Sequence, residues 1–121
     1  MAAMTFTPAP VAPLISFDLA ALDIRVGTIL AVEDIAGSKK LMKLTVSFGS
    51  FTRSIVAGIR LERQAPQHLV GTQTLFVLNI PPKVMAGVTS EGMLFDVGYA
   101  DGLVPCLMIP ERTMPDGARA G

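Results

Sequence analysis

Tryptophan is absent from this chain, and cysteine, histidine and tyrosine occur once each. A single thiol, Cys106, cannot close an intrachain disulfide, which points to a reducing compartment. One His and one Cys cannot furnish a structural zinc site, so no metal is expected. Aromatic residues make up 6% of the chain, too few for wide stacking platforms. Net charge is missing too: ten basic residues balance ten acidic ones. A strongly basic protein is thereby excluded, although a basic face is not. The longest uncharged run, residues 64–82, contains Pro66, Gln67, His68, Gln73, Asn79 and Pro81, so it is no apolar spanning helix. The N-terminus lacks the basic region of a signal peptide. A cytoplasmic protein with no membrane partner is the expectation.

What is present is apolar material. Half of the 121 residues are hydrophobic and 17% are charged, enough for one domain with its own core. That balance excludes a disordered chain or a coiled coil. Pro8, Pro10 and Pro13 mark residues 1–15 as an extended tail, held loosely or packed on a neighbour. Residues 16–121 then form the domain.

Charge is unevenly spread along the chain. Residues 39–83 hold Lys39, Lys40, Lys43, Arg53, Arg60, Arg63 and Lys83 against the single acid Glu62. The remainder holds Arg25, Arg112 and Arg119 against nine acids. A neutral whole thus hides a basic middle, which suggests a face for a polyanion or, more plainly, solvated strands.

Short strands dominate the pattern. Residues 24–32 place Ile24, Val26, Thr28 and Leu30 on one side, with Gly27 suggesting a bulge. Residues 41–48 and 52–57 form a hairpin about Gly49-Ser50. Leu61, Ala65 and Leu69 predict one or two helical turns, cut by Pro66. Residues 72–80 read as a strong strand stopped by Pro81-Pro82, and residues 93–97 and 103–109 as the last two. Ser16 is positioned to cap a short turn through Leu22. This order predicts an all-β, five-stranded Greek-key OB-fold barrel with a short helix between strands 3 and 4 and terminal extensions. A small sandwich is the structural alternative.

Catalysis finds little support. His68 reads as a surface or capping residue, and Cys106 as a small core residue. No nucleophile elbow or phosphate loop occurs. Carboxylate pairs such as Glu33-Asp34 are routine in loops and strand ends. A binding module without cofactor or enzymatic activity is the better class.

A longer pattern runs through Asp23-Ile24-Arg25-Val26-Gly27-Thr28-Ile29, Lys40-Leu41-Met42-Lys43-Leu44 and Arg53-Ser54-Ile55-Val56-Ala57-Gly58-Ile59. It continues through Leu69-Val70-Gly71, Leu78-Asn79-Ile80-Pro81-Pro82-Lys83 and Ser90-Glu91-Gly92-Met93-Leu94. The ordered set resembles the tRNA-binding domain family. That family includes modules appended to methionyl-tRNA synthetases, free-standing tRNA-binding proteins and the CsaA export chaperones. The resemblance covers residues 17–121 and implies an OB barrel, commonly a homodimer joined through terminal elements. Residues 53–59 and 90–93 resemble the synthetase and free tRNA-binding branch. The opening and Asn79-Ile80-Pro81-Pro82 equally suit a stand-alone CsaA-like dimer. Ile35-Ala36-Gly37-Ser38-Lys39 departs from the family's usual loop before Lys-Leu and adds a positive charge.

The resemblance implies a tRNA site of Lys40, Lys43, Arg53, Asn79, Lys83, Ser90 and Met93. Lys40, Lys43 and Lys83 would meet phosphates as point charges. Arg53 would pair with phosphate or a base edge, or with an acid across the sheet. Asn79 either reads a base edge or braces a loop. Ser90 would donate its hydroxyl, and Met93 would pack under a base or belong to the core. The implied partners are tRNA, a second copy and an aminoacyl-tRNA synthetase. The alternative is a chaperone that binds unfolded preprotein peptides.

Overall fold

Strand β1 (Ile24–Asp34) is long enough to serve two neighbours. Its first half pairs antiparallel with β4 (Gln73–Val77), and its second half with β2 (Met42–Ser47). The computed structural model describes residues 5–121. Along β2 buried and half-buried residues alternate, with Met42, Leu44 and Val46 inward and Lys43 outward, as the two-residue period predicts. A tight turn at Gly49, closed by Phe48 N donating to Phe51 O at 2.8 Å, leads into β3 (Thr52–Ala57).

The remaining strands are short. A hairpin joins β5 (Lys83–Met85) to β6 (Val88–Ser90). It is followed by β7 (Met93–Leu94), β8 (Asp96–Val97) and β9 (Cys106–Leu107), the last two paired with each other. The main sheet has five antiparallel strands in the order β3-β2-β1-β4-β7. The sheet curls until its edge strand β3 is met by residues 90–91. Glu91 N donates to Ser54 O at 2.8 Å, and Val56 N donates to Ser90 Oγ at 2.9 Å. Phe76, Ile29, Leu44, Ile55, Ile59 and Val46 fill the interior, with Phe48 set edge-on to Phe76 at 5.6 Å between ring centroids.

Several local expectations are corrected. The irregularity in β1 falls between Ile29 and Ala31, not at Gly27. Gly27 has a packing reason instead: a Cβ there would lie 2.5 Å from Val46 Cγ1 and 2.7 Å from Phe48 Cε1. The irregularity leaves Leu30 exposed and gives the central core Ile29 and Val32. The turn near the start spans Leu19–Ala21 and is capped by Asp18, whose carboxylate accepts from Ala20 N at 3.0 Å, rather than by Ser16. Between β3 and β4 stands one 3₁₀ turn, Pro66–Leu69, with proline at its start. His68 is exposed in that turn. Cys106 is exposed on β9 and is no core residue. Ala86-Gly87 is the tight turn of the β5–β6 hairpin, with φ of 50° and 79°.

Both ends of the described chain run over the surface. Residues 5–18 carry no regular structure, and Val11, Leu14 and Ile15 are at least 78% exposed. The first four residues of the expected tail lie outside the described residues. The C-terminal segment is lashed down: Thr28 Oγ1 donates to Asp116 Oδ1 at 2.6 Å, and Gln73 Nε2 donates to Met114 O at 2.7 Å. Gly117, at φ 90°, lies so close to Phe48 that a Cβ would stand 2.5 Å from its carbonyl oxygen. Among the described residues, no helix is long and apolar enough to cross a membrane.

Candidate nucleic-acid interface

The seven expected site residues do not form one cluster. Lys40 and Met93 come together at a groove of about 650 Å³ whose walls include Met85, Phe95 and Tyr99. Lys40 is exposed, its stem lying over Gly58. Met93 is 49% exposed, so it belongs to the groove wall and not to the core. Lys83 is exposed on β5, directly across the hairpin from Ser90. Lys43 is half-buried on β2, between Glu33 of β1 and Val56 of β3.

Arg53 and Asn79 act elsewhere, as braces. The Arg53 guanidinium lies 5.5 Å from the Phe51 ring centroid. Its Nη1 donates to Leu78 O at 2.8 Å and to Glu91 O at 2.9 Å. Its partners are thus carbonyls rather than an acid across the sheet. Asn79 Oδ1 accepts from Asp23 N at 2.7 Å and its Nδ2 donates to Ala21 O at 2.8 Å, pinning the first turn to the end of β4. The Ser90 hydroxyl is buried and already committed: it accepts from Val56 N and donates to Gly92 O at 3.0 Å. With its one donor used internally, Ser90 shapes the loop instead of reaching outward.

Folding also redistributes the charge. Glu33 stands opposite Lys43, and Asp34 pairs with Arg60. Arg63 lies 3.5 Å from Glu62. The acids of β1 therefore offset part of the basic middle, which the linear sequence does not reveal. Lys39, Lys40, Lys43 and Lys83 stay outside the ion pairs found among the described residues. Glu62, in the groove, is pushed above the usual carboxylate range mainly by burial; Arg63 opposes the shift and Asp96 adds to it.

Sequence reasoning missed two features. Met85, Phe95 and Tyr99 are scattered along the chain with no shared period, so the groove had no linear signal. Asp23 and Arg25 carried a weak one, since residues two apart on a strand share a face. Arg25 Nε donates to Asp23 Oδ1 at 2.8 Å and Nη2 to Oδ2 at 3.1 Å, which holds the Asp23 carboxyl below its usual range. Among the described residues, no group of His, Cys, Asp or Glu could hold a metal ion.

Known proteins resemble this chain in sequence and in fold. The chain is 40% identical over 108 residues to the methionine–tRNA ligase of Porphyromonas gingivalis, covering 88% of this chain but 16% of the ligase. The chain thus spans about a sixth of the length of that relative. The crystal structure of a MetRS related protein from Pyrococcus horikoshii superposes with a TM-score of 0.79 at 35% identity, covering 89% of this chain and all (100%) of that one. The chaperone CsaA from Bacillus anthracis superposes with a TM-score of 0.77 at 29% identity, covering 90% and 100%. Residues 24–119 match the family described as "Putative tRNA binding domain", and the chain belongs to that family.

Proposed function

We propose that this chain is a non-enzymatic tRNA-binding module that recognises tRNA by shape and backbone. The family match across residues 24–119 carries this reading. Lys39, Lys40, Lys43 and Lys83, outside the ion pairs, supply point charges for phosphates. The curled sheet, met at β3 by residues 90–91, supports a closed Greek-key OB barrel as its scaffold. Residues 11–17, with Val11, Leu14, Ile15 and Phe17 exposed, and residues 103–109, with Val104 and Ile109 exposed, offer apolar surface for a second copy. Kinship with synthetase modules supports a synthetase as a further partner. The test is filter binding of mixed tRNA against duplex DNA of equal length over a salt series. Tight, salt-sensitive binding that prefers tRNA supports the reading; equal weak retention of both refutes it.

One observation favours a second reading. The groove at Met85, Met93, Phe95 and Tyr99 offers adaptable apolar walls of the kind that accept peptide side chains. The likeness to CsaA gives that reading a precedent. A labelled unfolded preprotein peptide, offered to the same protein in competition with tRNA, separates the two.

A further inference from the structure

Residues 117–120 run antiparallel to the first half of β1. Val26 N donates to Ala118 O, Gly117 N to Val26 O and Ala120 N to Ile24 O, each at 2.8 Å. These bonds flank Arg25 and Arg119, which face each other as a non-hydrogen-bonded pair. Side chains of such a pair stand on one face at the closest approach a sheet provides, and like charges there repel. Asp23 answers Arg25 through two hydrogen bonds. Arg119 is exposed and forms no ion pair among the described residues.

A third guanidinium lies close by. Leu78 N donates to Asp23 O at 2.8 Å, and the Leu78 carbonyl accepts from Arg53 Nη1. The Asp23 carboxyl feels Arg25, Arg119 and Arg53 together. Of the nearby acids, Asp23 is occupied by Arg25, the Glu91 carboxylate accepts from Ser54 N at 3.0 Å, and the Asp18 carboxylate accepts from Ala20 N at 3.0 Å. Arg25 and Arg53 are thus held by hydrogen bonds within the protein, and Arg119 is the guanidinium left without one among the described residues. Beside Arg119 opens a cavity of about 710 Å³, lined also by Leu19, Asp23, Asn79 and Gly121, with Arg25 and Arg53 outside its walls.

We propose that Arg119, with Arg25 and Arg53 behind it, forms a phosphate-binding subsite at this end of the sheet. An incoming phosphate would relieve the Arg25–Arg119 repulsion, and the guanidinium fork matches phosphate oxygens two at a time. The proposal rests on the tRNA-binding reading and extends it to two arginines outside the basic segment 39–83. The ligand chemistry is a phosphodiester of tRNA or a free polyphosphate.

The test uses the full chain, with Arg119→Glu, Arg119→Lys and, as a control of equal charge change, Arg112→Glu. Arg112 is exposed and 3.0 Å from Glu111. Thermal melts are expected to be unchanged for Arg119→Lys and Arg112→Glu and to rise slightly for Arg119→Glu, which replaces the repulsion by an attraction. Arg119→Glu is expected to weaken tRNA binding about tenfold and to flatten the log–log salt slope by about 0.7–0.9, one phosphate contact. Arg119→Lys falls between, because it keeps the charge and loses the fork. Arg112→Glu leaves affinity and slope in place. Matching losses in Arg119→Glu and Arg112→Glu overturn the subsite. Inorganic tripolyphosphate, titrated by calorimetry, is the second arm. If wild type retains no tRNA, the functional reading fails; tripolyphosphate binding lost in Arg119→Glu then sustains a polyphosphate subsite, and absent binding overturns it.

Discussion

Ser90 and Val56 are joined by a hydrogen bond from the Val56 N–H to the Ser90 hydroxyl, at 2.9 Å and out of reach of solvent. The bond fastens the end of β6 to the free edge of β3. Ser90→Ala leaves a buried N–H without a partner, which costs about 1–3 kcal/mol. Urea unfolding reads that loss directly. Affinity for tRNA, measured where the variant is fully folded, is expected to be unchanged, because the hydroxyl is buried and bonded within the fold. A binding defect with normal stability would assign Ser90 to the interface.

Met93→Ala is the complementary case. Its side chain is half exposed in the groove, so truncation is expected to shift stability by less than about 1 kcal/mol. The ligand that uses the groove loses affinity, by about 1–3 kcal/mol at most if it is a stacked base. Running tRNA and peptide side by side shows which occupant the groove takes. An early melt with both affinities intact would place Met93 in the core.

Lys40, Lys43 and Lys83 separate cleanly from Arg53. Replacing the three lysines by Ala is expected to weaken tRNA binding across all sequences and to flatten the salt slope, with the fold intact. Arg53→Ala is expected to lower stability by about 1–3 kcal/mol as well, because the Leu78 and Glu91 carbonyls lose their donor. Melting curves and salt-dependent binding, taken on both proteins, distinguish a mobile charge from a structural one.

Acid titration tests Asp23 and Glu62 with opposite signs. The Asp23 carboxyl is lowered by its bond to Arg25, so its contribution is present above the ordinary carboxylate range. That contribution is lost as pH falls through its depressed value. Asp23→Asn is expected to flatten the acid limb of the stability curve. Glu62 is raised by burial, so the folded state holds its proton more tightly and Glu62 opposes stability at neutral pH. Glu62→Gln is expected to stabilise at neutral pH, with the gain vanishing as pH drops below the ordinary carboxylate range. Melting temperature against pH for both variants checks the two signs.

A dimer is expected at micromolar concentration, sedimenting at twice the 12.8 kDa chain mass. Removing residues 1–15 takes away Val11, Leu14 and Ile15 and is expected to shift the equilibrium toward monomer. A full-length chain that sediments as a monomer would end the two-copy reading.

The strands that alternate cleanly were legible from sequence. Residues 42–47 are β2, within the predicted 41–48, because buried Met42, Leu44 and Val46 alternate with half-buried Lys43, Thr45 and Ser47. The β5–β6 hairpin was not, because its turn uses Ala86 at positive φ where the usual signal is Asn or Gly. Gly27 gave a true signal with the wrong cause, since close approach and a bulge both call for glycine. The resemblance named candidate site residues one by one, but gave no sign of their division between a groove, two braces and a buried hydroxyl. That division depends on how β3 meets residues 90–91. The basic middle was overstated because the β1–β2 register, invisible in one dimension, sets Glu33 against Lys43.

The contact of Gly117 with Phe48 O works as a stop that fixes how far the C-terminal segment can slide along β1. Side chains on such a segment alternate between faces, so a slip of one residue would turn Arg119 away from Arg25 and bring Ala118 or Ala120 into its place. A glycine with no side chain thus determines where the Arg119 guanidinium is delivered. Gly117→Ala, which removes no charge, should behave in binding assays like a loss of Arg119.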